Sequence, residues 1–209
     1  MFVSVVCVMI PRFELVVTAG DRALLLREPV AIAPEQGGEQ RVGEVSPASE
    51  GAGVRAGMRL SEALARCPRL VLLPPDPAGV AEAWEQVLAR IEGVGAAVDS
   101  ERPGLVCFEG RGLLGLYGGS FSGLVGKLRS AIGVSARIGV APSRFSAMIA
   151  ASRARQRSFE FVDAAGVADY LAPLPVSLLR LDQRAEVLVE TLERLGVATL
   201  GDLAEIDRA

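Results

Sequence analysis

The chain has 209 residues, half of them hydrophobic and 22% charged, with a net charge of -3 and a mean hydropathy of +0.36. That profile gives one folded domain, or one plus part of a second, and excludes a disordered chain. The absence of histidine and of any paired cysteines (Cys7, Cys67 and Cys107 stand far apart) excludes Ser-His-Asp, Cys-His and His-rich metal chemistry within the chain, and points to the reducing cytoplasm.

The opening run Met1 to Ile10 is apolar but stops at Pro11. It is too short for a membrane span and lacks the flanks of a signal peptide, so it reads as a buried strand over Phe2 to Met9. Pro29 to Ala33 reads as a second strand and Arg41 to Ser46 as a third. A helix over Leu60 to Cys67 closes at Pro68, and Leu70 to Leu73 is a strand ended by Pro74-Pro75. Asp76 caps a helix from about Ala78 to Ile91, with Val80, Trp84, Val87 (or Leu88) and Ile91 on one face. Gly93 to Val98 and Gly104 to Glu109 read as two strands around a turn at Ser100 to Pro103. Ser120 or Ser122 opens a helix to Ile132 that turns Leu124, Val125, Leu128 and Ile132 inward. After a strand over Ser135 to Val140, Ser143 caps another helix, with Phe145, Met148, Ile149 and Ser152 as its stripe. Beyond Leu171 to Pro175, Asp182 caps a helix to Leu195, and another begins near Leu200. Strands mixed with helices in this order give an α+β layer fold ending in a helical pair that stops at Ala209.

Charge is segregated along the chain. Residues 1–109 hold ten arginines against fifteen acids, and residues 160–209 hold four against ten. Between them, residues 110–159 carry Arg111, Lys127, Arg129, Arg137, Arg144, Arg153, Arg155 and Arg157 with no acid. Such a stretch suits an anionic partner such as a nucleic-acid backbone. A solvated face, with cations placed at a helix C-terminus by the macrodipole, accounts for the same residues structurally.

Several segments carry a family resemblance. Gly53-Val54-Arg55-Ala56-Gly57-Met58, then Cys67-Pro68, Gly112 to Gly118, Arg137-Ile138-Gly139-Val140-Ala141, Leu171 to Val176 and Leu195 to Leu200 resemble, in order, motifs of the Y-family (translesion, UmuC-like) DNA polymerases. The resemblance implies a palm (1–34 and 76–172), a small fingers-like insertion (35–75) and the start of a helical helix-hairpin-helix thumb (173–209), cut short.

Polymerases of this kind clamp the reacting phosphate with two divalent cations held by carboxylates. The family's D-x-D-x-F run matches Met9-Ile10-Pro11-Arg12-Phe13, and its S-x-D-E-A run falls on Arg102-Pro103-Gly104-Leu105-Val106, so the matched positions offer no acid. The Y-x-x-R pair that grips the incoming triphosphate matches Pro47 and Glu50, whose charge would repel phosphate. A later lysine of the family matches Arg155. The expectation is therefore a chain with no catalytic, metal or cofactor residues, similar to the inactive ImuB group. It would bind DNA backbone without sequence preference through Lys127, Arg144, Arg153, Arg155 and Arg157. The resemblance adds an error-prone polymerase, the sliding clamp and a recombination protein as partners, and no membrane. Two alternatives stand beside it. One is a nucleotidyltransferase with a rearranged metal site drawing on Asp99, Glu101 and Glu109. The other is a purely protein-docking module.

Overall fold

The computed structural model describes residues 4–155, 158–182 and 185–206. In chain order it contains β1 (Val5–Met9), α1 (Phe13–Ala19), a 3-10 segment (Gly20–Arg27), β2 (Val30–Ile32), α2 (Pro47–Gly51), α3 (Leu60–Arg66) and β3 (Val71–Leu73). Then follow α4 (Pro77–Glu92), β4 (Asp99–Arg102), β5 (Leu105–Glu109), a 3-10 segment (Arg111–Tyr117), α5 (Phe121–Ile132), β6 (Arg137–Ala141) and α6 (Arg144–Arg153). The chain closes with β7 (Phe159–Phe161), α7 (Val167–Leu171), a 3-10 segment (Val176–Leu181), α8 (Glu186–Arg194) and α9 (Leu200–Ile206). It divides into two compact units, one of residues 1–9, 90–101 and 105–209, the other of residues 10–89 and 102–104. Among the described residues, no helix is long and apolar enough to cross a membrane.

The first unit is built on a five-stranded sheet in the order β4-β5-β1-β6-β7. β1 lies antiparallel to both β5 and β6, and β7 runs parallel to β6 on the edge. Strand side chains alternate between faces, so Cys7, Cys107 and Gly139 point one way and Val6, Phe108 and Val140 the other. The first face receives α6: Cys7, Leu105, Cys107 and Ala141 pack against Ala147, Met148, Ala150 and Ala151. Gly139 makes this approach possible, because a Cβ there would sit 2.2 Å from Ala151 N and 2.3 Å from Ala147 O. Burying Met148 and Ile149 completely contributes about 1.5–3 kcal/mol each. The second face receives α5, whose Phe121 and Leu124 meet Val6 around Gly110.

Local sequence sets both helices. Ser143 and Ser146 form a reciprocal capping box at the start of α6, and Ser120 Oγ accepts from Gly123 N at 3.2 Å at the start of α5. Leu124, Val125, Leu128 and Ile132 are buried as their spacing requires. α6 is buried on more sides than a single stripe, continuously from Ser146 to Ala151, because Ile149 also meets Leu174 and Leu200. At the end of the unit Asp202 accepts from Ala198 N and Thr199 N while Thr199 Oγ1 accepts from Asp202 N, which fixes the first turn of α9.

In the second unit β2 and β3 pair in parallel. Buried Ser46 ties the following loop down: its Oγ accepts from Val30 N at 3.1 Å and donates to Glu28 O at 2.7 Å. α4 starts as expected, with Asp76 Oδ1 accepting from Gly79 N, and Trp84 meets Phe13 edge to face at 5.1 Å.

Three expected elements differ. Arg41 to Ser46 is not a strand, since Val42 bonds a loop (Val42 N to Met58 O, Gly57 N to Val42 O) and only isolated bridges form. Gly93 to Val98 is not a strand either: Val94 N and Gly95 N bond back to Ile91 O and Glu92 O, and Gly95 takes a φ of 95°. The strand preceding β5 is instead Asp99–Arg102, turning at Pro103-Gly104. α8 begins at Glu186 behind Ala185, which provides no side-chain cap, so Asp182 is not its N-cap.

Candidate nucleic-acid interface

The strand ends of the central sheet carry the positions that the polymerase resemblance assigns to catalysis. Met9, the last residue of β1, pairs with Leu105 on one side and Arg137 on the other. Leu105 belongs to the apolar cluster against α6, with Met9 packed on it. Gly104 takes a φ of 83°, and its O accepts from Ile10 N at 2.8 Å. A Cβ on Gly104 would sit 3.0 Å from Ile10 O and from Phe13 Cβ, so any side chain there, a carboxylate included, strains this tight turn. A thioether, a bare glycine and a buried isobutyl group do not fit a magnesium-type cation, which takes hard oxygen ligands. Among the described residues, no three His, Cys, Asp or Glu side chains gather in a way that could hold a metal.

Of the acids weighed as substitutes, the two whose side chains are described, Asp99 and Glu109, are placed away from Met9. Glu109 pairs with Val5 at the opposite end of β1, about 13 Å along the strand at ~3.3 Å per residue. Asp99 forms an ion pair with Arg144. The side chain of Glu101 lies outside the described residues.

The reading of Glu50 as a repulsive charge is corrected by the structure. Glu50 accepts from Arg12 Nη2 at 2.6 Å, while Arg12 Nε donates to Val45 O at 2.9 Å. Glu50, which stands where the family motif has arginine, is thus neutralised by Arg12. Arg12 holds a left-handed backbone (φ 55°, ψ 42°) ahead of α1. Beside it, Glu44 Oε2 accepts from Leu15 N at 3.0 Å, and burial pushes the Glu44 carboxyl above the ordinary carboxylate range.

The basic segment divides between the two faces of the sheet. α6 carries Arg144 at its start and Arg153 at its end, and Arg155 follows one residue beyond the Ala154 cap. Arg153 and Arg155 are exposed, and Arg153 lies over the Tyr170 ring at 5.9 Å. Burial, and next the charge of Glu160, push the Tyr170 phenol upward. On the same face Arg137 donates to Ser152 O at 2.9 Å. Lys127 is exposed on α5, which covers the opposite face. Arg157 lies outside the described residues. Among the described residues, four of these cations therefore do not form one patch: Arg153 and Arg155 flank the Ala154 cap at one end of α6, Arg144 stands about 14 Å away at the other end and is engaged by Asp99, and Lys127 lies on α5. Sequence reasoning missed this because a run of like charge carries no record of which sheet face each helix covers. The alternation of Val6 and Cys7 into different helices was the available signal.

Comparison with known proteins places this geometry. A family model described as impB/mucB/samB matches residues 8–152. A curated relative named DNA polymerase IV from Methanoculleus marisnigri is 29% identical over 192 residues, 90% of this chain and 52% of the relative. Another of the same name from Caulobacter vibrioides is 25% identical over 159 residues, 74% of this chain and 39% of the relative. Among solved structures, the insertion ternary complex of Dbh DNA polymerase aligns over 97% of this chain and 60% of that one, with a TM-score of 0.77 at 18% identity. DinB from Sulfolobus solfataricus aligns with a TM-score of 0.72 at 19% identity, over 97% of this chain and 60% of that one. The fold is thus that of Y-family polymerases, and the chain spans about half the length of the curated relatives it matches or less. These relatives also overturn one expectation: they are named polymerases, so the missing motif carboxylates do not license reading the chain as a non-enzyme.

Proposed function

Because this chain belongs to the impB/mucB/samB family, a Y-family polymerase-like group of DNA damage tolerance, we propose that it engages the phosphate backbone of duplex DNA through the exposed end of α6. The observation that carries this reading is the exposure of both Arg153 and Arg155 at that end, within a segment of fifty residues that has no acid. Arg144 contributes once its ion pair with Asp99 yields to a phosphate, and Lys127 and Arg157 stand as further contacts of the same backbone-directed kind. Phosphate contacts fix register without reading bases, so binding is independent of sequence. With two to five of these cations neutralising phosphates, log K falls with log[salt] at a slope of about -1.8 to -4.5. Duplex binding measured across a salt series tests this; no binding at low salt, or a slope near zero, rejects it. An error-prone polymerase, the sliding clamp and a recombination protein are the protein partners that the resemblance to the ImuB group suggests.

A second reading, nucleotidyl transfer, is favoured by the names of the curated relatives. Since Met9, Gly104 and Leu105 do not fit the cation pair, such activity would require ligands arranged differently from the family's motif. Primer extension with magnesium or manganese decides it. Incorporation that survives repurification supports the reading, and its absence with intact duplex binding removes it.

A further inference from the structure

β7 is the free edge of the five-stranded sheet, and its exposed side is aromatic. Phe161 is 52% exposed, and its ring lies 5.7 Å from that of half-buried Phe121, tilted by 40°. Short edge strands are commonly protected by charge or by a covering element, whereas this one ends in an open ring pair. The chemistry around the pair is cationic. Arg129 of α5 donates to Ser158 O at 2.5 Å, which anchors a guanidinium at the start of β7, about 10 Å along the strand from Phe161. Arg155 is exposed just before that point. The nearby acids are turned away or occupied: Glu160 pairs with Gly139 and so points to the α6 face, and Asp163 Oδ1 accepts from Gly166 N at 2.6 Å.

Aromatic faces flanked by cations are the elements with which proteins hold single-stranded nucleic acid, each ring stacking on a base while cations track the backbone. The geometry points to the Phe121–Phe161 pair as a stacking platform for an unpaired base of single-stranded DNA, its backbone passing Arg129 and Arg155. This deepens, and rests on, the proposed engagement of DNA by residues 110–159: Arg155 serves both, but the base platform lies on the β7 edge and α5, away from Arg153 at the end of α6.

Fluorescence anisotropy with labelled oligo(dT) and, separately, a short hairpin duplex tests it. Phe161→Ala should weaken oligo(dT) binding by about fivefold or more while leaving duplex binding within about twofold. Phe161→Trp should retain oligo(dT) binding, and the new indole fluorescence should be quenched on titration. Val134→Ala, an equally exposed apolar site, should change neither. Oligo(dT) binding unchanged in Phe161→Ala, or a Phe161→Trp signal unaffected by saturating oligo(dT), overturns the platform. Duplex binding by the wild type with no affinity for oligo(dT) also overturns it while sparing the proposed function. Phe161-dependent oligo(dT) binding without duplex binding would do the reverse.

Discussion

Gly139 offers the sharpest test of how α6, and with it Arg153 and Arg155, is held on the sheet. Gly139→Ala places a methyl group 2.2 Å from Ala151 N, 2.3 Å from Ala147 O and 2.8 Å from Ala150 C. These are backbone atoms of a buried helix, so no side chain can swing aside and the helix itself must lift from β6. Overpacking of this kind costs about 1–3 kcal/mol, and contacts this short argue for the upper end. For a chain of this length, ~3 kcal/mol lowers the melting temperature by roughly 6–12 °C. Gly126→Ala is the matched control: Gly126 lies on the exposed side of α5 with open space around it, and the same substitution there should stabilise by about 0.5–1 kcal/mol. Calorimetry of the two variants beside wild type therefore predicts shifts of opposite sign. A Gly139→Ala protein that melts with the wild type, or above it, would refute the close approach of α6 to β6.

Other consequences follow from the second unit and from the turn at Gly104. Arg12→Ala should cost about 1–2 kcal/mol by removing the Glu50 and Val45 interactions while keeping the left-handed backbone. Arg12→Gly should cost about 1 kcal/mol less, since glycine removes that strain, and urea unfolding midpoints measure the difference. Glu44 is raised by burial above its ordinary 4.5, so its favourable contribution is complete below that pH and is lost as pH rises through the folded value. Glu44→Gln should accordingly flatten the fall in stability above pH 4.5, read from denaturation midpoints across a pH series. Gly104→Asp, which restores a motif carboxylate on its own, should destabilise by about 1–3 kcal/mol because it forces a side chain into a positive-φ turn against Ile10 O.

Most of the fold could be read from the sequence where one local signal decided each element. Asp76 and Ser143 are legible as caps, and of Ser120 and Ser122 the structure selects Ser120, because each of these oxygens meets an amide three residues on, a relation that depends on nothing distant. The buried faces of α4 and α5 followed from their spacing. α1 and α2 were not anticipated: α1 runs only from Phe13 to Ala19 behind a left-handed arginine, and α2 is a five-residue turn held by Ser46. Gly93 to Val98 reads as a strand in sequence, yet Val94 and Ala96 are buried in a turn whose Val94 O accepts from the Tyr117 hydroxyl at 2.8 Å, a partner 23 residues away. At the candidate site, the residue types at Met9, Gly104 and Leu105 were legible from motif spacing. The ion pairs Arg12–Glu50 and Arg144–Asp99 were not, since they join residues 38 and 45 positions apart.

The central claim, that the end of α6 engages DNA backbone, is tested most directly by the salt dependence of duplex affinity in the wild type and in the Arg153→Ala/Arg155→Ala double variant. The slope of log K against log[salt] should become shallower by about 1.8 in the double variant, while loss of the Arg153–Tyr170 contact costs no more than about 1 kcal/mol of stability. Equal slopes in the two proteins would contradict the account.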